Sequence, residues 1–227
     1  MTNERKMQVW IGAGFLIVIG VITVIAALVS SGQQSVSTQF TPTTAAALTS
    51  EDWTQGEKSA KVVVLEYGDF QCPACGAYET IVKQLQTEYA GKILFVFRNF
   101  PLYQIHPNAE ISAQAAEAAG LQGKYWEMHD LLYKNQAQWS NAARSDIVAK
   151  HFDGYAQSIG IDIDKFHTDI NSDVVKNKIK KDAQSGNDAK INHTPTFFIN
   201  MTQIPNPNSY AEFKLVIDAA LASSTPQ

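Results

Sequence analysis

A strand pattern that leads directly into a Cys-x-x-Cys pair constrains this chain more than any other stretch. Residues 62–67 read V-V-V-L-E-Y, a run typical of a central strand that is buried on both faces. Cys72 and Cys75, the only two cysteines, follow it, and apolar residues then recur at helical spacing. A second buried-strand pattern lies at 93–97. This order predicts a right-handed parallel crossover with the cysteines at the carboxyl end of the first strand, where open α/β sheets carry their active sites.

The cysteine pair itself is typical of a redox-active dithiol. Pro73 fits the first position of a helix, where its missing N–H leaves no hydrogen bond unmade, and this makes Cys72 the N-cap residue. We expect the amides of Ala74 and Cys75, together with the positive end of the helix dipole, to favour a Cys72 thiolate. Cys72 is therefore the predicted nucleophile.

Two other interpretations of the pair stay open at this point. A structural disulfide between Cys72 and Cys75 would close so short a loop that it would hardly constrain the unfolded chain. A zinc site needs about four ligands, and two cysteines with scattered histidines lack the usual second ligand pair. We favour the redox dithiol and predict no metal.

Glu66 stands out at the end of the first strand pattern. A carboxylate in a strand buried on both faces is costly unless it is paired or has a chemical task. We predict a semi-buried proton acceptor near Cys75, with a pKa raised by desolvation. The alternative is that the strand has already emerged and that Glu66 is solvated.

The N-terminus carries an uninterrupted run without charged residues at 9–29, long enough to cross a bilayer as a helix. Arg5 and Lys6 precede it, which predicts a cytoplasmic segment 1–8 and a single-pass anchor in the cell membrane, with everything after it extracytoplasmic. A cleaved signal peptide is the alternative. Residues 30–49 are rich in Ser, Thr, Gln and Ala and predict a flexible linker.

The predicted domain extends over 50–222 and is followed by a tail at 223–227. No convincing strand lies between about 101 and 189, where helical patterns predict an all-helical insertion. Strand character returns at 196–199, and a closing helix follows over 210–222. The net charge of −4 and the absence of a basic cluster argue against nucleic acid binding. We interpret four histidines as surface or helix-boundary residues: His106, His129, His151 and His167.

Four blocks of this sequence resemble the DsbA-like branch of the thioredoxin superfamily. They read L-E-Y-G-D-F-Q-C-P-A-C at 65–75, R-N-F-P-L followed by H-P-N-A between 98 and 109, G-K-Y-W-E-M-H-D-L-L-Y-K-N-Q at 123–136, and H-T-P-T-F-F-I-N at 193–200. The resemblance implies an α/β thioredoxin fold with an inserted helical subdomain. It also implies an oxidoreductase that acts on protein thiols outside the cytoplasm and whose only redox group is the Cys72–Cys75 disulfide.

The resemblance also assigns roles to distant residues. It implies a cis bond between Thr194 and Pro195, facing the cysteines and presenting the Thr194 backbone to an extended substrate, and it matches Glu66 to a semi-buried glutamate. His193 would lie beside the active-site loop and could lend positive charge to Cys72, although an ordinary surface position is the alternative. Ala74 departs from the pattern, because the most oxidising members have histidine there.

We therefore expect a membrane-anchored, monomeric oxidase that introduces disulfides into exported proteins. Its substrates would be reduced or misoxidised exported proteins, and an integral-membrane, quinone-linked partner would reoxidise it. A lone Cys-x-x-Cys pair in an oxidising compartment fits a catalyst of other proteins' disulfides better than a support for its own fold. The alternatives are a disulfide reductase or isomerase, or a non-catalytic thioredoxin-fold module for binding or chaperoning.

Overall fold

Residues 62–68 form the central strand of a five-stranded sheet in the computed structural model, which describes residues 40–223. The predicted segments 1–8 and 9–29, together with residues 30–39 of the predicted linker and 224–227 of the predicted tail, lie outside the described residues. Within the described part, no helix combines the length and the apolar character that crossing a bilayer requires.

The sheet has the strand order β1-β3-β2-β4-β5. Its strands are β1 (Trp53–Gly56), β2 (Val62–Gly68), β3 (Ile93–Asn99), β4 (Thr196–Ile199) and β5 (Thr202–Gln203). β2 and β3 are parallel, and β4 is antiparallel to β2, so Glu66 stands in register between Phe97 and Phe197. The predicted parallel crossover is confirmed, with helix α1 (Pro73–Glu88) as its connection.

A helical insertion separates β3 from β4, as predicted, and in the described chain no strand interrupts it. Its helices are α2 (Ala109–Gly120), α3 (Tyr125–Lys134), α4 (Gln136–Trp139), α5 (Asp153–Ser158) after a π-helical turn (Val148–Phe152), α6 (Ile163–Asp169) and α7 (Asp173–Asp188). The alanine-rich α2 is buried on nearly every side and packs against α3 and α7, because small side chains let helices approach closely. Helix α8 (Tyr210–Ser223) closes the fold.

The flexible-linker prediction is wrong for the end of segment 30–49. The compact unit begins at Thr41 rather than at 50. Thr44 forms a β-bridge with Thr202, and the amide of Ala45 donates to the Met201 carbonyl at 2.9 Å. The amides and carbonyls along the edge strand β5 need partners that solvent or another segment must supply. The end of the predicted linker supplies these hydrogen-bond partners. Its polar composition could not predict this pairing.

Arg98 anchors the same segment from inside the domain. Its guanidinium donates to the carbonyls of Ala46 and Ala47 at 3.0 Å each. Two further bonds, at 2.7 and 2.8 Å, join it to both carboxylate oxygens of Asp52, and each side chain of this ion pair is 3% exposed. A buried guanidinium requires such partners, because an unpaired buried charge is strongly destabilising.

Asp52→Ala is therefore expected to lower the free energy of unfolding by about 3 kcal/mol, because it leaves the Arg98 charge buried and uncompensated. The matched control is Glu51→Ala, which removes an exposed ion pair with Lys181 and is expected to cost under about 1 kcal/mol. Denaturant unfolding of the full chain measures both changes. Equal losses in the two variants would show that the buried pair does not hold the segment.

Candidate active site

Cys72 occupies the N-cap position of α1, and Pro73 is the first helical residue, as predicted. The backbone of Cys72 is extended, with φ −67° and ψ 120°, and its carbonyl accepts the amide of Gly76 at 3.2 Å. Its sulfur accepts no capping hydrogen bond of standard geometry, but the amides of Ala74 and Cys75 are directed toward it. Both cysteines are free thiols, and Cys72 is 7% exposed whereas Cys75 is 1% exposed.

The environment of Cys72 favours its thiolate. The Cys75 thiol, which donates a hydrogen bond to the Cys72 sulfur, is the largest cause of its low pKa. Burial acts in the opposite direction, while the Thr194 side chain and the amides of Cys75 and Ala74 lower the pKa further. Together they bring the pKa of Cys72 from 9.0 to about 5, so this thiol is ionised at neutral pH.

The pKa values of Cys75 and Glu66 shift in the opposite direction to that of Cys72. Burial raises the pKa of the Cys75 thiol well above its usual value, and the Cys72 and Glu66 side chains raise it further. Glu66 is 2% exposed, and burial, followed by the charges of Glu79 and Cys72, raises its pKa well above its usual value. The solvated alternative for Glu66 is thereby excluded. The site pairs a Cys72 thiol of lowered pKa with two groups whose pKa values are raised.

The Thr194–Pro195 peptide bond is cis, which confirms the prediction, and this loop faces Cys72. As a thiol, Cys72 donates to the carbonyl oxygen of Thr194 at 3.4 Å. The Thr194 hydroxyl is buried and has no hydrogen-bond partner of standard geometry among the described residues, but it lies close enough to Cys72 to lower the pKa of that thiol. Two segments 122 residues apart therefore form one site.

His193 and Ala74 are the remaining predicted site residues. His193 precedes Thr194 in the loop but is exposed, and its Nδ1 lies 2.9 Å from Oδ1 of Asn192. Its predicted charge contribution to Cys72 stays a prediction. Ala74 is exposed in the first turn of α1 and contributes its backbone amide to the Cys72 site.

Sequence reasoning missed the residues that hold the loop between β2 and α1. The buried carboxylate of Asp69 accepts the amides of Gln71 (2.8 Å) and Leu102 (3.0 Å) and lies 2.7 Å from Nδ1 of His106. From α4, the Gln136 side chain donates to the carbonyls of Phe70 and Cys72 at 2.7 and 2.9 Å. In the sequence, the position of Asp69 among polar residues between the strand pattern and the cysteines could have indicated its role. No pattern in the sequence around Gln136 indicated that it contacts the active-site loop.

Comparisons with known proteins show which family this fold is similar to. A family model described as Thioredoxin matches residues 48–219. Among curated relatives, a protein named Na(+)/H(+) antiporter NhaA 1 from Salinispora arenicola is 40% identical over 149 residues, which are 66% of this chain and 22% of that protein. The chain spans about a quarter of the length of the curated relatives it matches.

Solved structures show the same fold. Oxidised BdbD from Bacillus subtilis superimposes with a TM-score of 0.70 at 22% identity and covers 81% of this chain and 100% of that chain. Alpha-DsbA1 from Wolbachia pipientis has a TM-score of 0.69 at 21% identity and covers 78% of this chain and 94% of its own.

The pH dependence of alkylation tests the Cys72 environment. In the reduced full chain, iodoacetamide should modify Cys72 with a rate that rises as pH increases and reaches half its plateau near pH 5, because only the thiolate reacts. Mass spectrometry of peptides distinguishes Cys72 from Cys75, whose raised pKa and burial should keep it unmodified. A half-point near pH 9 at Cys72 would contradict the stabilised thiolate.

Thr194→Val should raise the pKa of Cys72 above about 5, because the thiolate loses a hydroxyl donor while the shape of the side chain is kept. The same alkylation profile measures the change. Thr202→Val, on the exposed strand β5, is the matched control and should leave the profile in place. A shift of equal size in both variants would mean that the Thr194 hydroxyl is not a specific donor.

Proposed function

Because the chain belongs to the thioredoxin family, we propose that it is a thiol:disulfide oxidoreductase whose redox centre is the Cys72–Cys75 pair. The observation that carries this proposal is the asymmetry of the pair: one sulfur is ionised at the start of a helix, and the other is buried with a raised pKa. Thioredoxin-fold oxidoreductases of the DsbA type use a redox-active disulfide and no external cofactor.

The geometry supports a two-step exchange. A substrate thiolate attacks the Cys72 sulfur of the oxidised pair, the Cys72–Cys75 bond breaks, and Cys75 leaves and takes up a proton for which Glu66 is the adjacent acid. A second substrate thiolate then attacks the substrate sulfur of the mixed disulfide, and Cys72 leaves as a stabilised thiolate. The substrate loses two electrons and gains a disulfide, and the enzyme becomes the dithiol.

We propose that the enzyme works mainly as an oxidase. A stabilised Cys72 thiolate favours the reduced enzyme, and this gives an oxidised enzyme its tendency to take electrons from other thiols. Ala74 adds no charge to this stabilisation, which comes from the Cys75 thiol, Thr194 and backbone amides instead. A reductase or isomerase, and a binding or chaperone module without turnover, are the competing functions that the experiment below separates.

The cellular setting is also a proposal. The apolar run at 9–29, preceded by Arg5 and Lys6, supports a membrane anchor with the catalytic domain outside the cytoplasm. There the substrates would be reduced or misoxidised exported proteins, and an integral-membrane, quinone-linked protein would reoxidise the monomeric enzyme. No antiport is proposed, since the chain corresponds to 22–26% of the relatives that carry the antiporter name.

Two cysteine variants test the function. The full-length Cys75→Ser chain should form a lasting mixed disulfide through Cys72 when it meets a reduced ribonuclease whose thiols have been activated with thionitrobenzoate, because no second cysteine remains to resolve the bond. The Cys72→Ser chain should react on the order of a hundredfold more slowly, since the Cys75 thiol is protonated at neutral pH. Absorbance of released thionitrobenzoate gives both rates.

Assays of turnover on ribonuclease distinguish an oxidase from a reductase and from a binding or chaperone module. Oxidised wild-type chain should introduce disulfides into reduced ribonuclease, and Cys72→Ser should not. If Cys72→Ser assisted refolding as well as the wild type, the chain would be a binding or chaperone module. If the wild type removed disulfides from native ribonuclease rather than adding them, the oxidase direction would be wrong.

A further inference from the structure

Two helices bring one nitrogen and two oxygen donors together, and we call these three residues the α1–α3 cluster. Glu79 belongs to α1, and His129 and Asp130 are neighbours on α3. One ring nitrogen of His129 and one carboxylate oxygen from each acidic residue lie within 4.8 Å of one another. Imidazole nitrogen and carboxylate oxygen are the donors that proteins use to bind zinc and similar divalent cations. The steps proposed for thiol exchange use none of these three side chains.

Packing holds the His129 ring in one orientation. The residue is 1% exposed, and its ring meets three aromatic rings edge to face, at centroid separations of 5.4 Å to Phe70, 4.9 Å to Phe97 and 5.0 Å to Tyr133. A ligand whose ring is already oriented loses little freedom when it binds a cation. The apolar surroundings also strengthen the electrostatic attraction between a cation and its ligands. His129 is therefore a preorganised nitrogen donor.

The cluster already attracts one positive charge. The ammonium nitrogen of Lys83 lies 2.7 Å from Oδ1 of Asp130, and Nδ1 of His129 lies 3.0 Å from the same oxygen. Oε1 of Glu79 lies 3.7 Å from that ammonium, which is too far for a hydrogen bond. One lysine therefore pairs closely with Asp130 and leaves this oxygen of Glu79 without a hydrogen bond.

Two buried polar atoms at the cluster have no hydrogen-bond partner among residues 40–223. They are Oε1 of Glu79 and the hydroxyl of Tyr133, whose side chain is buried. Burial is the main cause that raises the pKa of Tyr133, and the charges of Cys75, Glu66 and Glu79 raise it further, so this hydroxyl lies within range of the Glu79 carboxylate. Buried polar atoms without protein partners are the usual contacts of a bound ion or an ordered water.

An open groove of about 960 Å³ gives a cation access to the cluster from solvent. Glu79, Asp130 and Tyr133 line this groove, and so does Lys83. The side chains of Lys83 and Asp130 are 34% and 45% exposed, so both can change rotamer when a cation enters. The cluster thus combines a fixed nitrogen donor, two carboxylates that can adjust, and a path for entry.

We propose that the α1–α3 cluster binds one divalent cation of the zinc class. The cation takes the place of the Lys83 ammonium beside Asp130, and the lysine turns into the groove. Three protein ligands and one water complete a four-coordinate shell, and the bound water donates a hydrogen bond to the Tyr133 oxygen. Ligand atoms at zinc-bond lengths lie about 3.4 Å apart in a tetrahedron, so the two carboxylates close the remaining distance by rotating about their side-chain bonds.

The proposed cation is separate from the thiol chemistry. Neither Cys72 nor Cys75 is a ligand, and the proposed exchange needs no metal. The cation instead links α1, which begins just after Cys72, to the helical insertion, and a ligand that binds only the folded chain stabilises it. The sequence predicted no metal, because the three ligands come from two helices and no short spacing joins them. The inference goes beyond the proposed function, and either can fail without the other.

Titration calorimetry with zinc chloride tests the site. The parent is the full chain with Cys72→Ser and Cys75→Ser, which has no thiolate left to bind zinc. It should bind one zinc ion per chain, and saturating zinc should raise its melting temperature. Glu79→Gln and Asp130→Asn in this chain should each weaken binding at least about tenfold, since losing even an indirect partner of a metal ligand has an effect of that size. Circular dichroism without zinc checks that both variants are folded.

A change of opposite sign is expected for Lys83→Met. This variant removes the ammonium that zinc must displace, so it should tighten binding about threefold, the fold-change that corresponds to a surface ion pair. Two matched controls should keep the parent affinity. Glu88→Gln changes another carboxylate of α1 that lines the same groove, and His167→Gln removes an exposed histidine that is paired with Asp153.

The remaining outcomes contradict the site. Absence of measurable zinc binding to the parent chain would overturn it. Affinities within twofold of the parent for both Glu79→Gln and Asp130→Asn would show that zinc binds adventitiously elsewhere, and weaker binding by Lys83→Met would show that the lysine does not compete with the ion. None of these results changes the expected reactivity of Cys72, which the thionitrobenzoate assay measures without added metal.

Discussion

The chemistry of this protein depends on the hydrogen bonds that hold the short connection between β2 and α1. Asp69 fixes that connection to the loop after β3, and Gln136 binds the carbonyls of Phe70 and Cys72 from the helical insertion. Without these bonds the chain between strand and helix would be free to move, and Cys72 would lose its fixed place at the helix N-terminus. The insertion is therefore part of the site, although neither cysteine belongs to it.

Burial and hydrogen bonding together then give three neighbouring groups different pKa values. A thiolate at Cys72 is stabilised by the Cys75 thiol, the Thr194 side chain and backbone amides, and these contributions outweigh the cost of desolvation. Cys75 and Glu66 have no comparable set of donors, so desolvation dominates and raises the pKa of both groups. One environment thus yields a nucleophile or good leaving group at Cys72 and a proton-dependent partner at Cys75.

The elements that local patterns predicted are those whose signal lies within a short stretch. The apolar run of β2, the helical spacing of α1 and the proline at its first position each specify their own conformation, and the cis bond before Pro195 followed from a family resemblance. Contacts between distant segments were not predictable in this way. The pairing of Thr44 with Thr202 and the burial of His129, whose interpretation as a surface or helix-boundary residue is wrong, depend on how helices and strands meet, and no periodicity in the sequence predicts them.

The central claim is that stabilisation of the Cys72 thiolate makes the oxidised pair an oxidant, and the equilibrium reduction potential tests it most directly. The full chain would be equilibrated with defined ratios of reduced and oxidised glutathione, quenched with acid, and the fraction of free Cys72 and Cys75 counted by alkylation. The account predicts a potential toward about −120 mV, the range of strong protein oxidants. A potential near about −270 mV, the range of thioredoxin-like reductants, would contradict it.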